Sequence, residues 1–200
     1  MNFGFLKECE LESEELQQMY NVIVAELEKA EWCYFRKPQD CGIILRGTAE
    51  KICRIYNRYY QIGFIKETSL EEFLCYTDNE IHNAMVSRFL SVVRKEQRDR
   101  LNKLRVLGDD CIWGESAPDQ GMTFEDRMSL NVKHMMDIMM DTLKDMCKKI
   151  NKRDDVADKV FSEDALPESA KDAAREQEIQ QNIKKETKKT WFERIFSGKN

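Results

Sequence analysis

The stretch at residues 77–114, TDNEIHNAMVSRFLSVVRKEQRDRLNKLRVLGDDCIWG, has the pattern of one long amphipathic helix followed by a polar turn. Thr77 and Glu80 have capping-box spacing, so their side chains can bond the first free N–H groups of a helix. Residues that recur at three- and four-residue intervals form one largely apolar face: Val86, Leu90, Val93, Gln97, Leu101 and Leu104. Gly108 is expected to end the helix, because glycine adopts the left-handed C-cap conformation without steric cost. Residues 109–113 are then predicted to form a loop.

The composition favours a helical protein with a hydrophobic core of its own. Of 200 residues, 42% are hydrophobic and 34% are charged, and only eight are glycine and three proline. The net charge is −5 and the pI is near 5.3, which excludes a general binder of polyanions. No apolar run is long enough to span a membrane, and the first residues lack the basic and apolar regions of a signal peptide. We therefore expect a cytoplasmic protein.

The seven cysteines are predicted to be reduced thiols, mostly within apolar helix faces, at positions 9, 33, 41, 53, 75, 111 and 147. An odd number of scattered cysteines argues against the disulfide framework of a secreted protein. The sequence has no C-x-x-C pair, and neither His82 nor His134 has a companion at metal-ligand spacing. We therefore expect neither a metal nor a cofactor.

Two helices are predicted before the long one. The first begins after Ser13 and ends before Pro38, because the residue preceding a proline is pushed out of helical geometry. The second runs from about Asp40 to Gly63. Gly47 within it lowers helix propensity, which suggests a close helix crossing at that position.

A short helix and a last core helix complete the predicted bundle. Ser69 and Glu72 have capping-box spacing at the start of the short helix, and Thr123 begins the last one. Methionines recur at helical spacing along the last helix: Met128, Met135, Met139 and Met146. A methionine face can be a partner groove, but at this spacing we expect core. Four long helices with short connections predict an all-α fold, an antiparallel four- to five-helix bundle over residues 1–150.

The last fifty residues differ in character from the bundle. Residues 151–190 are polar and charge-balanced, which predicts a charged linker, a solvated helix or a helix docked weakly, that is, a helical or flexible C-terminal extension. Residues 191–200 form an aromatic C-terminal tail that carries four large apolar side chains: Trp191, Phe192, Ile195 and Phe196. We expect this tail to dock either on a partner or back on the bundle.

Two segments resemble a widespread family of bacterial all-helical domains of unknown function, with the patterns R-x-x-L-E on one helix and R-x-x-G-N-x-A-x-H at the end of another. The first corresponds to residues 46–50, from Arg46 to Glu50, and the second to residues 105–113. With helix order included, the resemblance covers residues 14–150. The family is similar to HEPN-type domains, some of which are ribonucleases that use an arginine and a histidine, and its members accompany restriction and other defence systems. The resemblance therefore implies a HEPN-like helical domain in a bacterial defence or mobile-element system.

The second segment departs from the family pattern at three positions. Asp109 replaces the asparagine, Cys111 the alanine and Trp113 the histidine, whereas Arg105 and Gly108 are kept. An indole has only a donor N–H and cannot act as a base, whereas imidazole titrates near neutrality. The resemblance thus implies a domain without the family's catalytic histidine.

One other arginine–histidine pair keeps a ribonuclease alternative open. Arg127 and His134 lie seven residues apart on one predicted helix, within the loose spacing of HEPN-type catalytic pairs. They fall on a different helix from the family signature. A degenerate HEPN-like ribonuclease would need them to converge with Arg105 in a basic cleft.

Charged residues on the helices suggest two further features. Arg46 and Glu50 have i, i+4 spacing and are predicted to form a helix-surface ion pair. Arg94, Arg98 and Arg105 lie along one side of the long helix, which is either a solvated basic face or a contact surface for RNA, DNA or an acidic partner.

The sequence favours a non-catalytic helical interaction module with a protein partner or a second copy of itself, as an accessory subunit. The alternatives are the degenerate ribonuclease and a nucleic-acid-binding adaptor that uses the basic face. No phosphate loop, Ser-His-Asp set or paired catalytic carboxylates occur in the sequence. We therefore assign no catalytic residue.

Overall fold

A computed structural model describes residues 1–11, 13–114, 122–176 and 179, and these fold as an all-α bundle. The α-helices are α1 (Glu14–Arg36), α2 (Pro38–Tyr59), α3 (Leu70–Leu74), α4 (Glu80–Val92), α5 (Lys95–Trp113) and α6 (Phe124–Met146). Short 3-10 turns lie at Gly4–Glu8 and Glu163–Ala165, and a π-helical turn at Cys147–Asn151 continues α6. Residues 168–176 are also helical. The predicted fold class is confirmed.

Helix α2 is the centre of the bundle, because it packs against α1, α5 and α6. Its inward face is fully buried: Leu45, Ala49, Ile52, Ile55 and Tyr56. The helix begins at Pro38 rather than Asp40, since proline's fixed φ suits the first helical turn. It ends at Tyr59, and Gly63 lies in the following turn with φ 111°.

The predicted long helix is two helices, so this part of the prediction is wrong. Val93 is extended, at φ −94° and ψ 110°, and only 1% exposed. Two consecutive β-branched residues lower helix propensity here, and the break lets Val93 reach the core. The first helix is capped not by Thr77 but by Asn79, whose side chain accepts a hydrogen bond from the His82 N–H at 3.1 Å.

The C-terminal end of α5 also differs from the prediction. Gly108 lies inside the helix, and residues 109–113 are helical rather than a loop. The left-handed C-cap is Gly114, with φ 62° and its N–H bonded to the Asp110 carbonyl at 3.1 Å. The helix therefore ends at Gly114, whereas Gly108 is kept inside it, where α5 packs closely against Arg46 of α2.

Several helix starts and the methionine face are confirmed. The Ser13 and Thr123 hydroxyls accept from backbone N–H groups of their helices, and Ser69 with Glu72 forms a capping box. The four predicted methionines of α6 are 0–1% exposed, so they belong to the core.

Residues 151–176 pack on the bundle, whereas the sequence leaves a linker, a solvated helix and a weakly docked helix open. Val156 and Leu166 are buried in the main core, and Ala170 is fully buried. Polar contacts fix the segment in place: Tyr34 Oη donates to Glu163 Oε1 at 2.8 Å, and the Ser162 N–H donates to Asn2 Oδ1 at 2.7 Å. Sparse apolar residues are sufficient here because they lie directly over α1 and the N-terminal turn. Within the described residues, no helix combines the length and apolar character that crossing a membrane requires.

Candidate functional site

Two arginines and one aspartate meet where α2 crosses α5. Arg46 Nε donates to Asp109 Oδ1 at 2.6 Å, and Arg105 Nη1 donates to Asp109 Oδ2 at 3.2 Å. The three side chains are 21–29% exposed. The structure therefore brings together three residues of the predicted family signature, and the aspartate ties the two arginines to each other.

Gly108 is the point of closest approach between these helices. A Cβ built there would lie 2.4 Å from Arg46 Cβ and within 3 Å of two further Arg46 carbons. Gly42 makes a similar approach, because an added Cβ would lie 2.3 Å from Cys111 Sγ. The predicted crossing at Gly47 is wrong, since a Cβ there would meet only Lys51 Nζ at 3.8 Å.

Glu50 belongs to a different set of contacts from Arg46, so the predicted Arg46–Glu50 pair is wrong. Glu50 Oε1 accepts from Arg54 Nη2 at 2.5 Å, and its Oε2 accepts from the Leu70 N–H at 3.3 Å. Arg46 points instead towards α5 because Asp109 offers it a carboxylate across the crossing. Glu50 thus fixes the start of α3 against α2.

Trp113 stands apart from the arginine–aspartate cluster. It occupies the last turn of α5 and is 74% exposed. Other apolar side chains nearby in the chain are partly exposed as well: Ile112, Met122 and Phe124. The indole of Trp113 therefore adds exposed apolar surface. It cannot transfer a proton as the histidine of the family pattern could.

The predicted basic face on α5 is mostly occupied by contacts within the bundle. Arg98 Nη2 donates to the Leu74 carbonyl at 3.2 Å, and Arg105 is held by Asp109. Arg94 lies exposed at the N-cap of α5. Arg100, on the side of α5 towards α6, pairs with Asp145. These arginines hold helices together more than they present charge to solvent.

The structure does not bring His134 to a catalytic arrangement. It is exposed on α6, and in the described part of the chain no hydrogen bond or ion pair joins it to Arg127 or Arg105. Arg127 lies over the Phe124 ring at 5.6 Å. The described residues also contain no cluster of three or more metal-ligating side chains.

A groove that sequence reasoning missed runs between α1, α2 and the turn after α2, with a volume of about 1270 Å³. Its floor is apolar, with Leu16, Phe64 and Ile150 buried and Met19 half-buried. Val22 and Ile65, 47% and 68% exposed, add apolar surface that no described residue covers.

The rim of the groove is cationic among the described residues that line it. Five lysines and arginines line it against two glutamates: Lys51, Arg54, Arg58, Lys66 and Lys152 against Glu10 and Glu15. Three of the cations are already paired, Lys51 with Glu26, Arg54 with Glu50 and Arg58 with Glu15. The charges of Lys66 and Lys152 have no ion-pair partner among the described residues.

The turn that forms one wall of the groove is held by Asn57. Its Oδ1 accepts from the N–H groups of Gly63 and Phe64, and its Nδ2 donates to the Phe64 carbonyl at 2.9 Å. Gln61 and Gly63 both have positive φ, which folds the chain back along α2. The wall is therefore built into the fold.

A sequence signal for the groove existed. Met19 and Val22 are apolar residues outside the core face of α1, and the cations at positions 51, 54 and 58 share one side of α2. Neither set indicates a groove until the two helices are paired side by side.

Comparison of this chain with protein-family models, with curated proteins and with solved structures finds no match. The resemblance to the HEPN-like family therefore stays a prediction. The predicted docking residues Trp191, Phe192, Ile195 and Phe196 lie outside the described residues.

Proposed function

We propose that this chain is a non-catalytic interaction module whose groove binds an amphipathic, acidic segment of a protein partner. The observation that carries the proposal is the groove itself, an apolar floor with exposed Val22 and Ile65 beside a cationic rim. Apolar anchors of a partner would bury this surface, and acidic side chains beside them would reach Lys66 and Lys152.

The charges favour a protein segment over a nucleic acid. Phosphate binding gains most from free cations, whereas Lys51, Arg54 and Arg58 would first have to leave Glu26, Glu50 and Glu15. The chain also carries a net charge of −5. An acidic protein segment needs only one or two carboxylates for Lys66 and Lys152, and its apolar anchors bind the floor. It therefore fills the groove without breaking these ion pairs.

The segment at the chain's own C-terminus has the wrong charge for this groove. Residues 181–200 contain six lysines and arginines and two glutamates. We therefore do not assign the aromatic tail to this groove and keep it as a second docking element. The family resemblance adds an accessory role in a bacterial defence or mobile-element system, and seven free cysteines support a reducing cytoplasmic setting.

Selection of random linear peptides on the full chain tests the proposal. Counter-selection uses the double variant Val22→Glu/Ile65→Glu, which changes only exposed side chains. We expect enriched peptides with apolar residues three to four apart and neighbouring Asp or Glu. Peptides that lack this pattern, or that bind the variant equally well, would contradict the groove as the binding site.

A second double variant provides the matched control. Leu130→Glu/Val160→Glu also places two glutamates at exposed apolar positions, 57% and 74% exposed, away from the groove lining. An enriched peptide carrying fluorescein should bind this control as it binds the unmodified chain. Fluorescein-labelled single-stranded RNA, titrated separately with the same three proteins, tests the nucleic-acid alternative. Saturable RNA binding that only the groove variant loses would replace the proposal with a nucleic-acid adaptor.

A further inference from the structure

Two of the seven cysteines are in direct contact. Cys9 Sγ lies 3.8 Å from Cys147 Sγ, although the residues are 138 positions apart in the chain. Cys9 follows the N-terminal 3-10 turn, and Cys147 begins the π-helical turn after α6. Among the described residues no other two thiols lie within hydrogen-bonding distance. The fold therefore brings together one dithiol that the sequence did not reveal.

The surroundings of this dithiol are polar and asymmetric. Arg153 Nη1 lies 3.6 Å from Cys9 Sγ, and Tyr20 Oη lies 3.7 Å from Cys147 Sγ. Arg153 is held in place by Glu8 at 3.2 Å and by Asp155. Of the two sulfurs, the guanidinium therefore makes a direct contact with that of Cys9.

These contacts separate the two thiols chemically. The contact with Cys147, supported by Tyr20 and Arg153, lowers the pKa of Cys9 in spite of its burial. The same contact with Cys9, together with burial, raises the pKa of Cys147. Because Arg153 Nη1 contacts the Cys9 sulfur, Cys9 is the better candidate for the thiolate nucleophile of the pair.

Other buried cysteines lack this arrangement. Burial is the first cause that raises the pKa of Cys41, Cys53 and Cys111. The Cys41 thiol donates to the Ala30 carbonyl at 3.2 Å, a contact that leaves it protonated. These three are internal controls for any thiol chemistry at Cys9.

We infer that Cys9 and Cys147 form a reversible redox pair, in which Cys9 is the attacking sulfur and Cys147 the resolving one. With a peroxide as oxidant, the Cys9 thiolate attacks one peroxide oxygen, the O–O bond breaks, and a sulfenic acid and hydroxide form. The Cys147 sulfur then attacks the Cys9 sulfur, so the S–S bond forms as the S–O bond breaks. The hydroxide that leaves Cys9 takes the Cys147 proton and becomes water, and the hydroxide of the first step takes the proton that Cys9 had released. Two thiols and one peroxide thus give one disulfide and two waters.

The pair is buried, with Cys9 2% and Cys147 0% exposed, and the groove is the nearest route for a peroxide. Glu10 and Leu11, just after Cys9, line the groove, as do Ile150 and Lys152 in the turn that Cys147 begins and just after it. A disulfide requires the sulfurs to approach to about 2.05 Å, and Cys9, extended after its 3-10 turn, is the cysteine of the pair outside the helices. The bond would fasten the N-terminal turn to the end of α6 beside the groove.

Peptide mapping of the full chain after hydrogen peroxide treatment tests the inference. Free thiols are alkylated in denaturant, and the protein is digested without reductant. We expect a disulfide-linked peptide pair that contains Cys9 and Cys147 and disappears on treatment with dithiothreitol. Oxidation of the half-buried Cys75 shows that the peroxide treatment was effective. If Cys9 and Cys147 are still alkylated in such a sample, or if Cys9 is linked to any other cysteine, the inference is overturned.

Variants separate the roles of the two sulfurs. In Cys147→Ser, dimedone should trap a sulfenic acid on Cys9, whereas in Cys9→Ser no adduct should appear on Cys147. Arg153→Gln should slow disulfide formation several-fold, and Lys159→Gln, which removes an exposed cation of the same segment that has no thiol contact, should not. Equal rates in these two variants would remove Arg153 from the mechanism. The mapping of the unmodified protein stands even where a cysteine variant fails to fold.

Discussion

At the scale of single residues, two glycines that look alike in the sequence have opposite roles. Gly108 and Gly47 are both helical, but only Gly108 lies where a neighbouring helix leaves no room for a Cβ. The resulting contact brings the α2 and α5 backbones close enough for Arg46 to reach Asp109. Gly47 faces open space apart from the end of the Lys51 side chain.

We predict opposite effects of alanine at these two positions. Gly108→Ala should lower the free energy of unfolding by about 1–3 kcal/mol, because the added methyl group overlaps Arg46. Gly47→Ala should raise it by about 0.5–1 kcal/mol, since alanine loses less backbone entropy on folding. Urea denaturation of both variants measures the difference. A Gly108→Ala protein as stable as the unmodified chain would contradict the tight crossing.

Glu31 gives the second residue-scale prediction. It is fully buried, and its Oε1 accepts from the N–H groups of Asn2 at 2.5 Å and Phe3 at 3.4 Å. Burial raises its pKa above the usual value of 4.5 in spite of these hydrogen bonds. The folded state therefore holds the proton more tightly than the unfolded state does, and this contribution to stability is complete below pH 4.5.

The contribution should be lost as pH rises through the raised pKa of Glu31. Glu31→Gln keeps an acceptor oxygen without a titratable group, so the free energy of unfolding of the unmodified chain should fall relative to this variant as pH increases above 4.5. Denaturation at a series of pH values measures the difference between the two proteins. A constant difference across the series would show that Glu31 is not perturbed by burial.

At the scale of elements, α5 couples the core to the arginine–aspartate cluster. Its buried face consists of Gln97, Leu101, Leu104, Gly108 and Cys111. The polar member of this face is satisfied, because Gln97 Nε2 donates to Tyr56 Oη at 2.7 Å and its Oε1 accepts from Lys149 Nζ at 3.1 Å. The predicted apolar face is therefore correct for α5, even though α4 is a separate helix and Leu90 on it is only half-buried.

Leu101→Ala should lower the free energy of unfolding by about 2–5 kcal/mol, because it removes a fully buried side chain and leaves a cavity. Val106→Ala on the same helix is the matched control, since Val106 is 44% exposed and should cost well under 1 kcal/mol. Thermal and urea unfolding would compare the pair. Equal stabilities of the two variants would mean that this face of α5 is not core.

At the scale of the whole molecule, the C-terminal segment is part of the folded unit as far as residue 176. It crosses α1 and the N-terminal turn, where Arg36 Nη2 donates to the Ser169 carbonyl at 2.5 Å. Arg153 Nη1 also contacts the Phe5 carbonyl at 3.4 Å. A bundle boundary at residue 150 therefore divides one packed body.

Two truncations test this boundary. Removal of residues 152–200 takes away the buried side chains of Val156 and Leu166. The free energy of unfolding should therefore fall by about 1.5–3 kcal/mol for each of the two side chains. Removal of residues 187–200, which deletes only the aromatic tail, should leave the unfolding midpoint nearly unchanged. If the shorter deletion alone lowers the midpoint, the tail packs on its own chain and is not a separate docking element.

The sequence was sufficient to locate helix caps and buried helix faces, because each of these depends only on residues close together in the chain. Ser13, Ser69 and Thr123 cap helices because a hydroxyl needs only the next three residues of its own chain. The methionine face of α6 is core because its spacing alone aligns the side chains. In the candidate site, the sequence named Arg46, Arg105 and Asp109 but assigned Arg46 the wrong partner, since the choice between Glu50 and Asp109 depends on how α2 and α5 cross.

The sequence by itself determined that the protein is all-α and which faces of most helices are buried, because helical periodicity and capping are encoded within a few residues. Tertiary structure decided which residues far apart in the sequence are in contact. It alone selects Gly108 over Gly47 as the crossing point, places Cys9 against Cys147, and sets α1 beside α2 to form the groove. The Arg46–Asp109 contact at the crossing joins residues 63 positions apart and the Cys9–Cys147 contact residues 138 apart. No local pattern specifies which distant side chains the closed core will bring together.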